Sequence, residues 1–219
     1  MYESNLPHKS KGGSGKTVTT VSLAVAAERS GRSAAIVDLD SQGSATSWSA
    51  RRRVDTPVVV ASTPARLARV LSAAENQGAD LILIDTPPRA EQAARAAAKM
   101  ADLVVIPCRP SVADLETLAT TVTLVRSSGD RRIVIMLNGV PPRSTRREQA
   151  KEVVESMGLL VCPSFLGNRV AFDHASTLGK SAQEYEPRGK AAEEIIHVYK
   201  CKIAKTMNCY NTDGLTRGF

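Results

Sequence analysis

Aromatic residues are scarce: they make up 4% of the 219 positions, with a single tryptophan. That argues against recognition of single-stranded nucleic acid on stacked aromatic platforms. No run approaches the roughly 20 apolar residues of a membrane span. Residues 1–10 are polar and hold no apolar secretory core, so the expected compartment is the cytoplasm. The four cysteines, Cys108, Cys162, Cys201 and Cys209, include no C-x-x-C pair. They read as reduced thiols rather than a metal site or a disulfide framework. Internal repeats and low-complexity linkers are also missing. The charge is not balanced: 29 Lys+Arg face 22 Asp+Glu, a formal +7. A basic excess favours an anionic partner such as nucleic acid. The hydrophobic fraction of 42% is ordinary for a soluble globular chain, and the length suits one core. A single domain over residues 1–205 is expected, followed by a polar, mobile tail over 206–219.

The most informative stretch is Lys11-Gly12-Gly13-Ser14-Gly15-Lys16-Thr17. It has the character of a phosphate-binding loop, with Gly12 or Gly13 as the opening glycine and a second lysine at its start. Glycines let the backbone turn sharply and present several N–H groups to phosphate oxygens. Lys16 supplies a point charge for the β and γ phosphates, and the Thr17 hydroxyl can hold Mg²⁺. A helix over 18–29 follows, so its positive end faces the same phosphates. A flexible glycine linker would lack both the Lys-Thr ending and the helix.

Downstream, strand-like and helix-like segments alternate. Strands are expected at 33–37, 58–61, 81–84, 103–106, 133–137 and 159–162, the fourth stopped by Pro107. Helices are expected at 63–76, 90–100, 112–127, 145–157, 171–178 and 189–203. This alternation predicts an α/β fold: a mostly parallel, twisted sheet with helices on both faces. Ligands of such folds sit at the carboxyl ends of the strands. Asp38 and Asp40 follow one strand, and Asp85 follows another just before Thr86-Pro87-Pro88. One strand-end aspartate serves equally well as a helix cap or a turn residue. Two, both downstream of a phosphate loop, point to a Mg-nucleotide site.

Three segments, KGGSGKT (11–17), IVDLDSQGSATSW (36–48) and LILIDTPP (81–88), together resemble the ParA/MinD group of deviant-Walker P-loop ATPases. Within it they look like the small ParA proteins of plasmid partition that lack an N-terminal DNA-binding domain. The likeness runs over about 11–203 and includes DLVVIPCRPSVADLE (102–116), MLNGV (136–140) and NRVAFDHASTLGKSAQEY (168–185). The resemblance implies ATP and Mg²⁺ as cofactors. It implies that Lys11 is the signature lysine that crosses a dimer interface to the partner's ATP. Lys16 and Thr17 match the loop lysine and the Mg²⁺ ligand, and Gly12, Gly13, Ser14, Gly15 and Thr19 fall in the nucleotide cradle. Asp40 matches the acid that supports hydrolysis beside the ion. Asp85 matches the acid that organises Mg²⁺, and Asn138 falls where the family contacts adenine.

Family members form an ATP-dependent homodimer, bind double-stranded DNA without sequence preference, and are stimulated by a ParB-like, centromere-binding partner. A cytoplasmic, nucleoid-associated location goes with that activity. Arg143, Arg146, Arg147, Lys151 and Arg169 are the candidates for phosphate contact on DNA.

The chain departs from the family at its start. There an apolar, central strand should feed the loop, yet residues 1–10 hold Pro7 and no β-branched run. Proline is not expected in a central strand. An atypical first strand weakens the anchoring of the loop, and a catalytically weak or inactive binding module is the second reading. A MinD-like membrane-surface ATPase would need a basic amphipathic C-terminal helix. A metal-insertion ATPase would need an interface cysteine pair, and a small-molecule kinase would not explain Lys11. With ten residues before Lys11, self-repression through a helix-turn-helix domain is not expected.

Overall fold

The computed structural model describes residues 13–88 and 90–201. Lys11, Gly12, the atypical first strand and the tail over 206–219 lie outside the described residues. The chain alternates helix and strand as expected. Helix α1 (Lys16–Arg29) leads into β1 (Ala34–Asp38), α2 (Ser44–Ala50) and β2 (Val58–Ala61). Next come α3 (Leu67–Asn76), β3 (Leu81–Asp85), α4 (Glu91–Met100) and β4 (Leu103–Cys108). The remainder comprises α5 (Val112–Arg126), β5 (Arg132–Leu137), α6 (Arg146–Ser156), β6 (Leu160–Val161), α7 (Val170–Thr177), α8 (Ala182–Tyr185) and α9 (Lys190–Lys200). None of the described helices is long and apolar enough to cross a membrane.

Every strand pairing among the described residues is parallel. Among the described residues the sheet comes in two halves, ordered β2-β1-β3 and β4-β5-β6. β1 is buried along its whole length, as a strand covered on both faces should be. Helix α1 lies over both halves: Val21, Ala24 and Val25 pack with Ile36 and Trp48, while Leu23 and Ala26 pack with Met136 and Ile195. On the other face Leu67 and Leu71 of α3 meet Ala93 and Ala97 of α4.

Ile82, Leu83 and Ile84 of β3 are only half-buried, and so are Leu103 to Ile106 of β4, although all are apolar. Both strands line one cavity of about 490 Å³, roofed by Thr19, Thr20 and Leu23 of α1. The backbone bonds fix which groups point there. Leu81 N–H donates to Ser33 C=O and Leu39 N–H to Asp85 C=O, so the odd-numbered residues of β3 face β1. Alternation then turns Ile82 and Ile84 towards the cavity. Asn138 N–H donates to Cys108 C=O, which turns Leu103, Val105 and Pro107 the same way.

That geometry corrects one expectation. Pro107 does not stop β4; it sits inside the strand, opposite Met136. It is tolerated because its missing N–H lies on the side away from β5. Two helices went unforeseen. α2 starts at Gly43, which adopts a left-handed conformation (φ 61°), and it buries Trp48. α8 opens at Ser181, whose backbone N–H donates to Glu184 Oε2 at 2.7 Å while Glu184 N–H donates to Ser181 C=O at 3.1 Å. The expected helix over 63–76 begins instead as a 3₁₀ turn, Pro64–Arg66, before α3.

Candidate nucleotide site

The loop entering α1 is held from two sides. Gly13 C=O accepts a bond from Arg109 Nη2 at 2.8 Å, and Ser14 C=O accepts one from Asn138 Nδ2 at 2.7 Å. Arg109 follows β4 and Asn138 follows β5, so the carboxyl end of that half-sheet anchors the loop. Gly15 caps α1 in the left-handed region, φ 84° and ψ 28°. A side chain there would be strained, and its Cβ would collide with the Asn138 amide. Lys16 and Thr17 then open the helix, whose first turn holds no acidic residue to compete with an anion.

The other half-sheet supplies the acids. Thr17 Oγ1 donates to Asp85 Oδ2 at 2.7 Å, and Thr20 Oγ1 lies 3.4 Å from Oδ1. Asp85 ends β3 and is 1% exposed. Burial pushes its carboxyl up from 3.8 to about 6; the Thr17 hydroxyl opposes this, Asp38 adds repulsion, and Lys16 opposes again. Asp38, also 1% exposed, ends β1 and accepts from Thr46 N–H and Oγ1, both at 2.9 Å, and from Asp40 N–H at 3.0 Å. Asp40 is half-exposed, and its Oδ1 accepts from Gln42 N–H at 2.9 Å.

A threonine hydroxyl against a buried carboxylate is a hard-oxygen donor set, which fits magnesium. No group of three or more His, Cys, Asp or Glu that could hold a metal occurs among the described residues. Magnesium takes one or two carboxylates and draws its remaining ligands from water and substrate phosphates.

Gly13, Ser14, Gly15, Lys16, Thr17, Asp85 and Asn138 therefore converge, and Asp40 stands at the next strand end. Thr19 does not join them. It is 4% exposed, turned into the cavity between the half-sheets, and its hydroxyl has no hydrogen-bond partner among the described residues. Thr20 and Arg109 belong to the site and were not placed there from sequence, whereas Asp38 was expected at a strand end beside Asp40. Asp38 was legible as the last residue of an apolar strand; Arg109 carried no signal, because only the fold brings it to Gly13.

The basic residues divide into two groups. Arg143, Arg146, Arg147 and Lys151 gather around the start of α6, at the carboxyl-end rim of the sheet. Arg143, Arg146 and Lys151 are exposed, while Arg147 lies over the Phe165 ring at 4.4 Å and 3.7 Å from Glu148. Arg169 stands apart at the entry to α7 and is bonded to Glu194, at 2.6 Å through Nη2 and 3.1 Å through Nε. Glu194 also accepts from Gly167 N–H, so Arg169 braces α9 against this loop.

A glycine-rich loop opening a helix above strand-end carboxylates, on the carboxyl edge of a parallel α/β fold, defines a phosphate-loop nucleotide-binding protein. Residues 9–182 match the CobQ/CobB/MinD/ParA nucleotide binding domain, and the chain belongs to that family. It is 36% identical over 202 residues to the maintenance of carboxysome distribution protein A of Gloeobacter kilaueensis, covering 90% of both chains. It is 26% identical over 229 residues to the chromosome-partitioning ATPase Soj of Thermus thermophilus, covering 87% of this chain and 89% of that one. Among solved structures, the septum site-determining protein MinD of Pyrococcus horikoshii, complexed with Mg-ADP, superposes with a TM-score of 0.74 at 20% identity. That match covers 93% of this chain and 96% of MinD.

Proposed function

We propose that this chain is a ParA-type ATPase that positions a cargo, a plasmid, a chromosome region or a protein body, by binding ATP and Mg²⁺, dimerising, and holding DNA without sequence preference. The observation that carries the reading is the 2.7 Å contact between Thr17 and Asp85, which are 68 residues apart in the chain. It joins the end of the phosphate loop to the acid of a distant strand, as a Mg-nucleotide site requires. The names of the relatives, a carboxysome-distribution protein and a chromosome-partitioning ATPase, support a positioning role.

In this reading the loop N–H groups and Lys16 hold the phosphates. Thr17 and Asp85 hold the ion, which neutralises phosphate charge when bound. Asp40 orients the attacking water, and Asn138 reaches the adenine side while keeping the loop closed. Lys11 adds the second cation, in the manner of an arginine finger. Arg143, Arg146, Arg147 and Lys151 contact DNA phosphates, so retention weakens steeply with salt. Arg169 contributes less, because Glu194 matches its charge. Hydrolysis is stimulated by DNA and by a ParB-like or other cargo-bound partner.

The test is ATP turnover and DNA retention by the full chain. Charge reversal at Arg143, Arg146 and Lys151 should abolish retention and leave ATP affinity unchanged. An unmodified protein that binds no adenine nucleotide would sink the reading. Binding without turnover would favour the weak binding module.

A further inference from the structure

The turn that carries Asp40 hangs from one buried carboxylate. Asp38 closes β1 at 1% exposure, and both of its oxygens are taken by groups further along the chain. Oδ1 accepts from Asp40 N–H at 3.0 Å. Oδ2 accepts from Thr46 N–H and from Thr46 Oγ1, both at 2.9 Å. The need for this lies in the sequence of α2. A helix leaves its first N–H groups without partners, and an N-cap side chain commonly takes the one at the third position. Here the N-cap is Gly43, which has no side chain to offer, and the third position is Thr46. The strand end supplies the missing acceptor, from 8 positions earlier in the chain. Within the turn, Gln42 N–H donates to Asp40 Oδ1 at 2.9 Å and Gly43 N–H to Asp40 C=O at 2.8 Å. Asp40 thus sits in a turn closed on itself and pinned to Asp38. In the register of β1 and β3, Asp38 lies directly beside Asp85, so the turn and the ion site share one level of the sheet. A buried carboxylate depends on such donors, and each bond to it is stronger than one between neutral groups.

We propose that Thr46 is a positioning residue for hydrolysis. Its hydroxyl fixes the Asp38 carboxylate, which fixes the backbone of Asp40 and so the place of the side chain that orients the attacking water. This role rests on the reading of Asp40 given above, and Thr46 acts only through Asp38. The geometry separates it from the groups that hold the nucleotide. Thr17 Oγ1 bonds Asp85, and the loop at Gly13 and Ser14 is tied to Arg109 and Asn138. Loss of the Thr46 hydroxyl therefore leaves the phosphate cradle in place and loosens the turn that carries Asp40. Of the two bonds from Thr46 to Asp38, the backbone one survives a change of side chain, while the other needs a hydroxyl at that position. A shift of about 1 Å in a group that positions a reactant can cost roughly a hundredfold in rate, so even partial loosening should be visible in turnover.

The test compares Thr46→Val, which keeps the shape and removes the hydroxyl, with Thr46→Ser, which keeps the hydroxyl. Steady-state turnover of the full chain with ATP, Mg²⁺ and DNA reads the reaction. Hydrogen exchange of the nucleotide-free full chain reads the turn. Losing a bond to a carboxylate shifts a local opening equilibrium by about tenfold or more. Exchange at the amides of Asp40 and Thr46 should quicken by that factor in Thr46→Val, while the amides of β5 stay unchanged. A general loss of stability would instead quicken both. In the same variant kcat should fall by roughly five- to fiftyfold, with KM for ATP within about twofold of the wild type. Thr46→Ser should recover both readouts. Unchanged exchange at Asp40, unchanged kcat, a rise in KM alone, or failure of serine to rescue would overturn the proposal. A wild type that turns over no ATP would remove the functional reading; exchange at Asp40 would then decide by itself whether Thr46 holds the turn.

Discussion

Replacing Asp85 by Asn should stabilise the nucleotide-free protein while removing its response to magnesium. The carboxyl is 1% exposed, and its place in the fold, through burial first and Asp38 repulsion second, raises it from 3.8 to about 6. Folding therefore disfavours the charged form. Below pH 4 the group is neutral whether the chain is folded or not, and it makes no difference. Between pH 4 and pH 6 the unfolded chain ionises and the folded one resists, so stability falls as pH rises. Above pH 6 the loss is complete and amounts to about 3 kcal/mol, against a typical total of about 5–15. Urea unfolding of the wild type and Asp85→Asn at pH 4.5 and pH 8, with EDTA, would measure it. The two proteins should be close at the lower pH, and the variant more stable at the higher by about 1–3 kcal/mol. Adding Mg²⁺ and ATP should restore stability to the wild type alone. Parallel pH profiles for the two proteins would refute the assignment of this carboxylate as a desolvated charge awaiting a cation.

Gly15→Ala should cost about 1–2 kcal/mol in urea unfolding from the left-handed backbone alone, and more as the Asn138 amide is displaced. The affinity for a fluorescent ATP analogue should drop at least tenfold, since the Asn138 bond to Ser14 closes the loop. Arg52→Ala should be among the most destabilising changes in the chain, about 3–5 kcal/mol by thermal unfolding. Its side chain is 4% exposed and serves Glu184, Gly179 C=O, Thr56 C=O and the Trp48 ring together. Burial pushes the Glu184 carboxyl up, but its bonds to Arg52 and Ser181 hold it below the usual range. The pair's contribution should therefore be lost as pH falls through that lowered value, and Arg52→Ala should flatten the acid limb of the stability profile.

Much of this arrangement was legible before any coordinates. The apolar runs of β1, β3 and β5 announced parallel strands, and the Lys-Thr ending of the loop announced the start of α1. Asp85 was recognisable because it follows four apolar residues and precedes Thr86-Pro87. What failed to show was what depends on distance. Arg109 reaches the loop across 96 positions of sequence, and no local pattern encodes that; Asn138 was placed only by the resemblance, on the adenine side, and its bond to Ser14 across 124 positions was not foreseen. α2 was hidden because SATSWSA is serine-rich with a lone tryptophan, a composition suited to a turn; burial of Trp48 against the core overrides propensity. Thr19 fell within the expected cradle by proximity, yet the helical turn carries it to another face. The spacing corrects one more expectation. Ser10 stands 5 positions before Gly15, so neither Gly12 nor Gly13 opens the general G-x-x-x-x-G-K-[ST] pattern, and the lysine-led version of the loop carries the likeness.

Pro107 steadies the exit of the strand that carries it. Its ring removes a donor on the side of β4 away from β5, so the pairing with Met136 stays whole. The same ring fixes one backbone angle two residues before Arg109, the side chain that holds Gly13 C=O. One imino ring thus helps set the direction in which a distant guanidinium leaves the sheet for the loop.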